Sequence, residues 1–181
     1  MTNGIKVKKR NGSIESLDLE KMHKMVDEAC KDLAGVSASQ VEMQSGIQFY
    51  DGVTTAEIQE ILIRSASDLI SLDNPNYQFV AARLLLFSLR KSLFGRMHET
   101  PKFFDHITKC VKLGVYDKEI LDNYTEEEIA TVERFIDHER DYLFTYAGLR
   151  QVVDKYLVQD RSTGKVYAVK CPPQILSATQ H

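Results

Sequence analysis

The sequence predicts a mainly α (α+β) protein: a four-helix bundle covered by a small three-stranded β-sheet, followed by further helices and a β-hairpin. Three observations carry that expectation. Apolar residues recur at helical spacing along most of the chain. Polar N-cap residues stand directly before those runs. Two short β-prone stretches near the N-terminus carry the turn signals Asn11-Gly12 and Asp51-Gly52.

The chain is organised around Val7–Lys21, VKKRNGSIESLDLEK. Asn-Gly between two short runs predicts a two-residue hairpin loop, because both central positions need positive φ. Asp18 then reads as the N-cap of a helix over Leu19–Leu33, with Met22, Met25, Val26, Ala29 and Leu33 on one stripe and Gly35 closing it. Ser37 with Gln40 predicts a capping box for a short helix through Val41. In IQFYDGVTT, Phe49, Tyr50 and Val53 suit a brief strand that pairs with the N-terminal hairpin, since a lone hairpin is only marginally stable.

Thr54 with Glu57 predicts a second capping box, opening a helix that carries Ile58, Ile61, Leu62, Ala66 and Leu69. Asn74-Pro75 restarts a helix. The run from Tyr77 to Phe94 is apolar on nearly all sides, which predicts the buried central member of a bundle; Arg83, Arg90 and Lys91 interrupt it too often for a membrane span. Beyond Gly95, Thr100-Pro101 starts a helix with Phe103, Phe104, Ile107, Val111 and Leu113, stopped at Gly114. Thr125 with Glu128 caps another, with Ile129, Val132, Phe135 and Ile136. Charge is dense at Asp137–Asp141, and Leu143–Leu149 turns apolar again. Tyr156, Leu157 and Val158 are expected to pair with Val166, Tyr167 and Ala168. The expected domains are 1–95, 96–169 and a divergent, loosely attached tail at 170–181 with two consecutive prolines.

With 181 residues the chain can build one good core, or a small module and a second partial one. Its 43% hydrophobic and 27% charged content is that of a soluble globular protein, and a net charge of −3 argues against a general nucleic-acid binder. Cys30, Cys110 and Cys171 form no CxxC pair, so neither a zinc ribbon nor a disulfide framework is indicated, and a reducing cytosol is the simpler setting. No signal peptide or transmembrane span is legible, so a cytoplasmic location is expected.

The first twenty-four residues depart from the average. Lys6, Lys8, Lys9, Arg10, Lys21 and Lys24 stand there against Glu15, Asp18 and Glu20. Two readings compete. A cationic hairpin feeding a helix N-terminus suits a polyphosphate, because Lys and Arg supply charge and the helix end supplies N–H groups. A basic run before a turn also serves as a solvated edge that blocks strand-to-strand association. If the nucleotide reading holds, Lys9, Arg10, Lys21 and Lys91 would meet phosphates; Val7, Leu17, Met22 and Ile58 would form apolar walls. Thr55 and Gln59, four apart on one helix, would read polar edges of the ligand. Glu15 and Asp18 would meet the base amine and ribose hydroxyls, or bind lysines. There is no Walker-type loop and no GxGxxG.

VKKRNGSIESLDLEKMHKMV, YDGVTTAEIQEILIRSASDLI and NPNYQFVAARLLLFSLRK resemble an ATP-cone, the regulatory nucleotide-binding module. FFDHITKCVKLGVYD, YTEEE and FIDHERDYLFTYAGLRQVVDKYLVQDRSTGKVY resemble the helical region that follows it in the large (α) subunit of class I aerobic ribonucleotide reductase. The resemblance implies an on/off switch for overall activity in deoxyribonucleotide synthesis, with ATP keeping the enzyme active and dATP switching it off. Carried over by position, it implies nucleotide contacts at Val7, Lys9, Arg10, Glu15, Leu17, Asp18, Lys21, Met22, Thr55, Ile58, Gln59, Phe87 and Lys91. Asn is frequent in the family at the position of Asp18, and His at that of Gln59.

Mg²⁺ is expected to accompany the triphosphate. The implied partners are an adenine nucleotide, the reductase's catalytic part and its small (β) subunit, with a possible homo-oligomer and neither nucleic acid nor membrane. The resemblance fades at about Ala168, before the family's catalytic barrel and its cysteines, so no catalytic residue is expected. A split enzyme, active with a separately encoded barrel, is the alternative. An ATP-cone transcriptional repressor would carry a zinc ribbon before the cone, and no cysteine precedes Cys30.

Overall fold

The computed structural model describes residues 4–9, 12–95, 97, 100–159 and 166–169. Arg10, Asn11, Cys171 and the expected 170–181 tail lie outside the described residues. The described chain is mainly helical with a small three-stranded sheet. It divides into two compact units: one gathers the described residues up to Ser88 with Phe144–Leu149, the other those of Leu89–Leu143 and from Arg150 on.

In the first unit, β1 (Lys6–Lys8) pairs antiparallel with β2 (Ile14–Ser16) and parallel with β3 (Val53–Thr54), giving the order β2-β1-β3. The expected two-residue loop includes Asn11 and so lies outside the described residues. The Gly12 N–H donates to the Lys9 carbonyl at 2.9 Å, the Lys9 N–H to the Ser13 carbonyl at 2.8 Å, and Gly12 takes φ +85°. The strand expected from Phe49 shrinks to Val53–Thr54, because the preceding turn already engages β1. Asp51 Oδ1 accepts the Lys6 N–H at 2.8 Å, and the Gly52 N–H donates to the Lys6 carbonyl at 2.8 Å.

α1 (Leu19–Cys30) starts as expected, with the Asp18 carboxylate accepting from the Lys21 N–H, but it ends at Cys30 rather than Leu33. The Arg83 guanidinium donates to the Ala29 and Lys31 carbonyls at 3.2 and 2.6 Å, and Asp32 turns left-handed at φ 59°. α2 (Ala38–Gly46) runs beyond Val41, and the Ser37–Gln40 box does not form. Buried Tyr77 intervenes: its hydroxyl donates to Gln40 Oε1 and accepts the Ser37 N–H at 3.0 Å. α3 (Thr55–Asp68) opens with the expected box, Thr54 and Glu57 each accepting the other's N–H. α4 (Tyr77–Phe94) follows a turn over Pro75-Asn76; within this unit it buries Tyr77, Val80, Ala81, Leu84 and Phe87, matching the expected all-round apolar helix.

In the second unit, α5 (Phe103–Lys112), α6 (Glu119–Asn123) and α7 (Glu126–Glu133) surround a small core of Phe103, Ile107 and Ile129. The Thr125–Glu128 box caps α7 as expected. The charged Asp137–Asp141 stretch runs into a 3₁₀ helix, His138–Leu143, which the sequence did not announce. α8 (Tyr146–Tyr156) takes Tyr156 out of the strand expected there. β4 (Leu157–Gln159) pairs antiparallel with β5 (Val166–Val169) through Leu157↔Val169 and Val158↔Ala168.

Candidate functional site

Most of the sequence-derived candidates fall in the first unit. Val7, 5% exposed, lies at the centre of the sheet, with Glu15 opposite it on β2 and Val53 on β3. Lys9 leaves the end of β1 exposed, and its Nζ stands 2.5 Å from Glu15 Oε2. Glu15 thus binds a lysine, one of the two roles expected for it. Arg10 lies outside the described residues. Leu17 is half-buried and ties its N–H to the Ile5 carbonyl at 2.9 Å, which fixes the descent from β2 into α1.

At the start of α1, Asp18 Oδ1 accepts the Lys21 N–H at 2.9 Å. This contact fills one of the helix's free donors with the protein's own carboxylate. Lys21 is exposed on the first turn and Met22 is buried behind it. The parallel pairing Lys8↔Thr54 brings the first turn of α3 beside the basic strand, and Thr55, Ile58 and Gln59 with it. Thr55 is half-buried; Ile58 and Gln59 are 8% and 5% exposed.

Phe87 is fully buried on α4. Next to it Ser88 donates its hydroxyl to Gln59 Oε1 at 3.3 Å, linking α4 to α3. Lys91 is half-buried in the last turn of α4, in the part of that helix grouped with the second unit. Glu57 lies on the other side of the α3 start. Its carboxyl is held below the usual carboxylate range by the Thr54 N–H, the Thr54 hydroxyl and the Tyr50 phenol, 2.9 Å away.

Two contributors escaped the sequence reading. Asp51, read only as turn punctuation, anchors Lys6. Ser88 partners Gln59, and the one hint was a hydroxyl placed inside the apolar Tyr77–Phe94 run. Among the described residues no group of three or more His, Cys, Asp or Glu could hold a metal ion, and no helix is long and apolar enough to cross a membrane.

The ATP cone domain matches residues 5–92. The chain is 49% identical over 167 residues to ribonucleoside-diphosphate reductase 1 subunit alpha of Escherichia coli (strain K12), covering 92% of this chain and 22% of that protein. The alpha subunit from Haemophilus influenzae is 47% identical over the same shares of the two chains. That of Enterobacteria phage T4 is 44% identical over 165 residues, 90% of this chain and 21% of its own. The chain therefore spans about a fifth of the length of these relatives. Residues 5–92 belong to the ATP cone domain family, in a chain that matches the N-terminal region of ribonucleoside-diphosphate reductase alpha subunits.

Proposed function

We propose that the first unit is an allosteric switch that binds ATP or dATP at the junction of the basic strand, the α1 start and the α3 start. The observation that carries this reading is the β1–β3 pairing. It places the α3 start, with Thr55, Ile58 and Gln59, beside a strand that leads into Lys9, and the α1 start follows directly from β2. One corner of the fold thereby offers cations, helix-end donors, apolar side chains and a buried amide, which is the inventory a nucleoside triphosphate requires.

Val7, Leu17, Met22, Ile58 and Phe87 supply the apolar contacts in this reading, and Lys9, Arg10, Lys21 and Lys91 the positive charge. Glu15, Asp18, Thr55 and Gln59 are the polar contacts. Mg²⁺ enters with the phosphates in this reading. The helices of residues 1–95 act as the cone's four-helix bundle, 96–169 as its connector and 170–181 as a divergent tail. ATP and dATP then set whether the catalytic part and the small (β) subunit work together.

The test is differential scanning fluorimetry with ATP, dATP and inorganic tripolyphosphate. Binding to the folded state at 100 times Kd stabilises by about 2.7 kcal/mol, which raises Tm. Lys9→Ala and Lys91→Ala should shrink the rise. No shift with either adenine nucleotide would defeat the proposal.

A second reading, one half of a split reductase, is favoured by exposed apolar side chains in the second unit. Phe135 is 80% and Leu143 72% exposed. Co-purification with a separately encoded catalytic part, lost on Phe135→Asp, would support it.

A further inference from the structure

We infer that Asp141 is a positioning residue for Lys91: through Arg90 it fixes the last turn of α4, and with it the direction in which the Lys91 ammonium can meet a phosphate. The inference rests on the nucleotide reading, in which Lys91 supplies charge, and adds to it a residue that acts through another.

Lys91 stands in the final hydrogen-bonded turn of α4. Its carbonyl accepts the Gly95 N–H at 3.0 Å, and Gly95, at φ +77°, turns the chain out of the helix. A last turn has no further turn to hold it, so tertiary contacts decide where its side chains point. Two such contacts flank Lys91. One residue before it, the Arg90 guanidinium donates through Nη2 to Asp141 Oδ2 at 2.7 Å, and both side chains are buried. Three residues after it, the Phe94 ring meets His106 edge-on at 5.6 Å. Arg90 and Phe94 are four apart and share one face of the helix. Lys91 leaves the axis about 100° round from Arg90, so fixing that face fixes its direction too.

Asp141 is itself held in place. His138 Nδ1 lies 3.8 Å from the same carboxylate oxygen, and His138 Nε2 lies 3.3 Å from Thr100 Oγ1. The Tyr142 ring centroid stands 5.7 Å from the guanidinium carbon. A buried ion pair adds little net stability over apolar residues of similar size, because desolvation offsets the attraction. What apolar residues cannot supply is direction. A planar guanidinium bonded to a carboxylate and set over a ring is fixed in rotation as well as in place. The half-buried Lys91 follows its turn, and binding groups whose supports are loose lose function through displacements of about 1 Å.

The test is a mutant cycle read by isothermal titration on the full chain, with ATP and adenosine as ligands. Arg90→Met with Asp141→Leu removes the directional bond and keeps the packing. If that chain fails to fold, Arg90→Lys, which keeps the charge without the planar fork, takes its place in the cycle. Lys91→Ala should weaken ATP about 10-fold on the unaltered chain, in the range of one charge-assisted hydrogen bond. Replacing the Arg90–Asp141 pair should weaken ATP about 5-fold, after which Lys91→Ala should cost no more than about a further 2-fold, as coupled residues require. Adenosine, which carries no phosphate, should bind all these chains alike.

ATP binding unchanged by the pair replacement, or the same loss from Lys91→Ala in both backgrounds, would overturn the inference and leave the nucleotide reading standing. Losses shared equally by adenosine would reduce the pair to a structural support. No effect of Lys91→Ala on the unaltered chain would remove Lys91, and this inference with it, from a site that still binds ATP. Absence of ATP binding to the unaltered chain would overturn both.

Discussion

Arg90 Nη2 donates to Asp141 Oδ2 across 2.7 Å, with each residue 6% exposed. The Tyr142 ring centroid stands 5.7 Å from the guanidinium carbon, and His138 Nδ1 lies 3.8 Å from the same carboxylate oxygen. A buried pair of this kind costs more when halved than when replaced outright, because the orphaned charge has no water to turn to. Asp141→Ala should therefore lower stability by about 3–5 kcal/mol, and Arg90→Met with Asp141→Leu by far less. Urea denaturation of the singles and the double measures this; a double variant worse than either single would refute the account.

Acid should loosen two helix starts together. Glu57 and Glu128 each accept an N-cap N–H, and both carboxyls are held below the ordinary value of 4.5 chiefly by that bond. A carboxyl with a depressed folded-state pKa contributes stability that is complete above its unfolded value and lost as pH falls through the folded one. Below pH 4.5 the chain should thus lose stability as these groups protonate. Glu57→Gln with Glu128→Gln should flatten that part of the Tm–pH curve, and an unchanged curve would remove the caps from the explanation.

His106 should produce a second slope at milder pH. Burial lowers its pKa below 6.5, with Lys109 adding to the effect. It packs edge-on against Phe94 and Tyr116, at ring distances of 5.6 and 6.5 Å. The unfolded chain binds this proton more readily, so stability should fall as pH drops below 6.5 toward the lower folded-state value. His106→Phe keeps an aromatic ring and should abolish the slope in that window, as read by Tm between pH 5 and 7, about the range over which histidine titrates.

The two described thiols should be slow. Burial pushes Cys30 up to about 11, with Asp27 adding to it, and burial also raises Cys110, whose Sγ lies 3.6 Å from His106 Nε2. At pH about 8, only about one Cys30 in a thousand would be thiolate, the reactive form. In a Cys171→Ser background, Ellman's reagent should modify the native chain far more slowly than the chain in urea. Rapid native reaction would show that the two sites open readily.

What could be read from the sequence was what is decided locally. The boxes at Thr54–Glu57 and Thr125–Glu128 and the Asp18 cap formed as expected, because each joins a side chain to a backbone group three residues away. The Ser37–Gln40 box had the same spelling and failed, since Tyr77, forty residues on, takes both partners. α1 stopped early for a similar reason, with Arg83 reaching back to its last carbonyls. The Arg90–Asp141 pair and the Ser88–Gln59 contact carry no local signature, for their partners meet only once helices pack. In the candidate site, charge and apolar character were legible along the chain.

The parallel pairing of β1 with β3 also sets an order of events in folding. Lys6 meets Asp51 across 45 residues of sequence, with α1 and α2 between them. Closing so long a loop is entropically unfavourable until the helices inside it have formed and docked. The basic edge thus matures late, and a growing chain cannot complete the three-stranded sheet until Thr54 has been synthesised and released to pair. That sheet is completed by the last of its own three strands to arrive, not by the first one made.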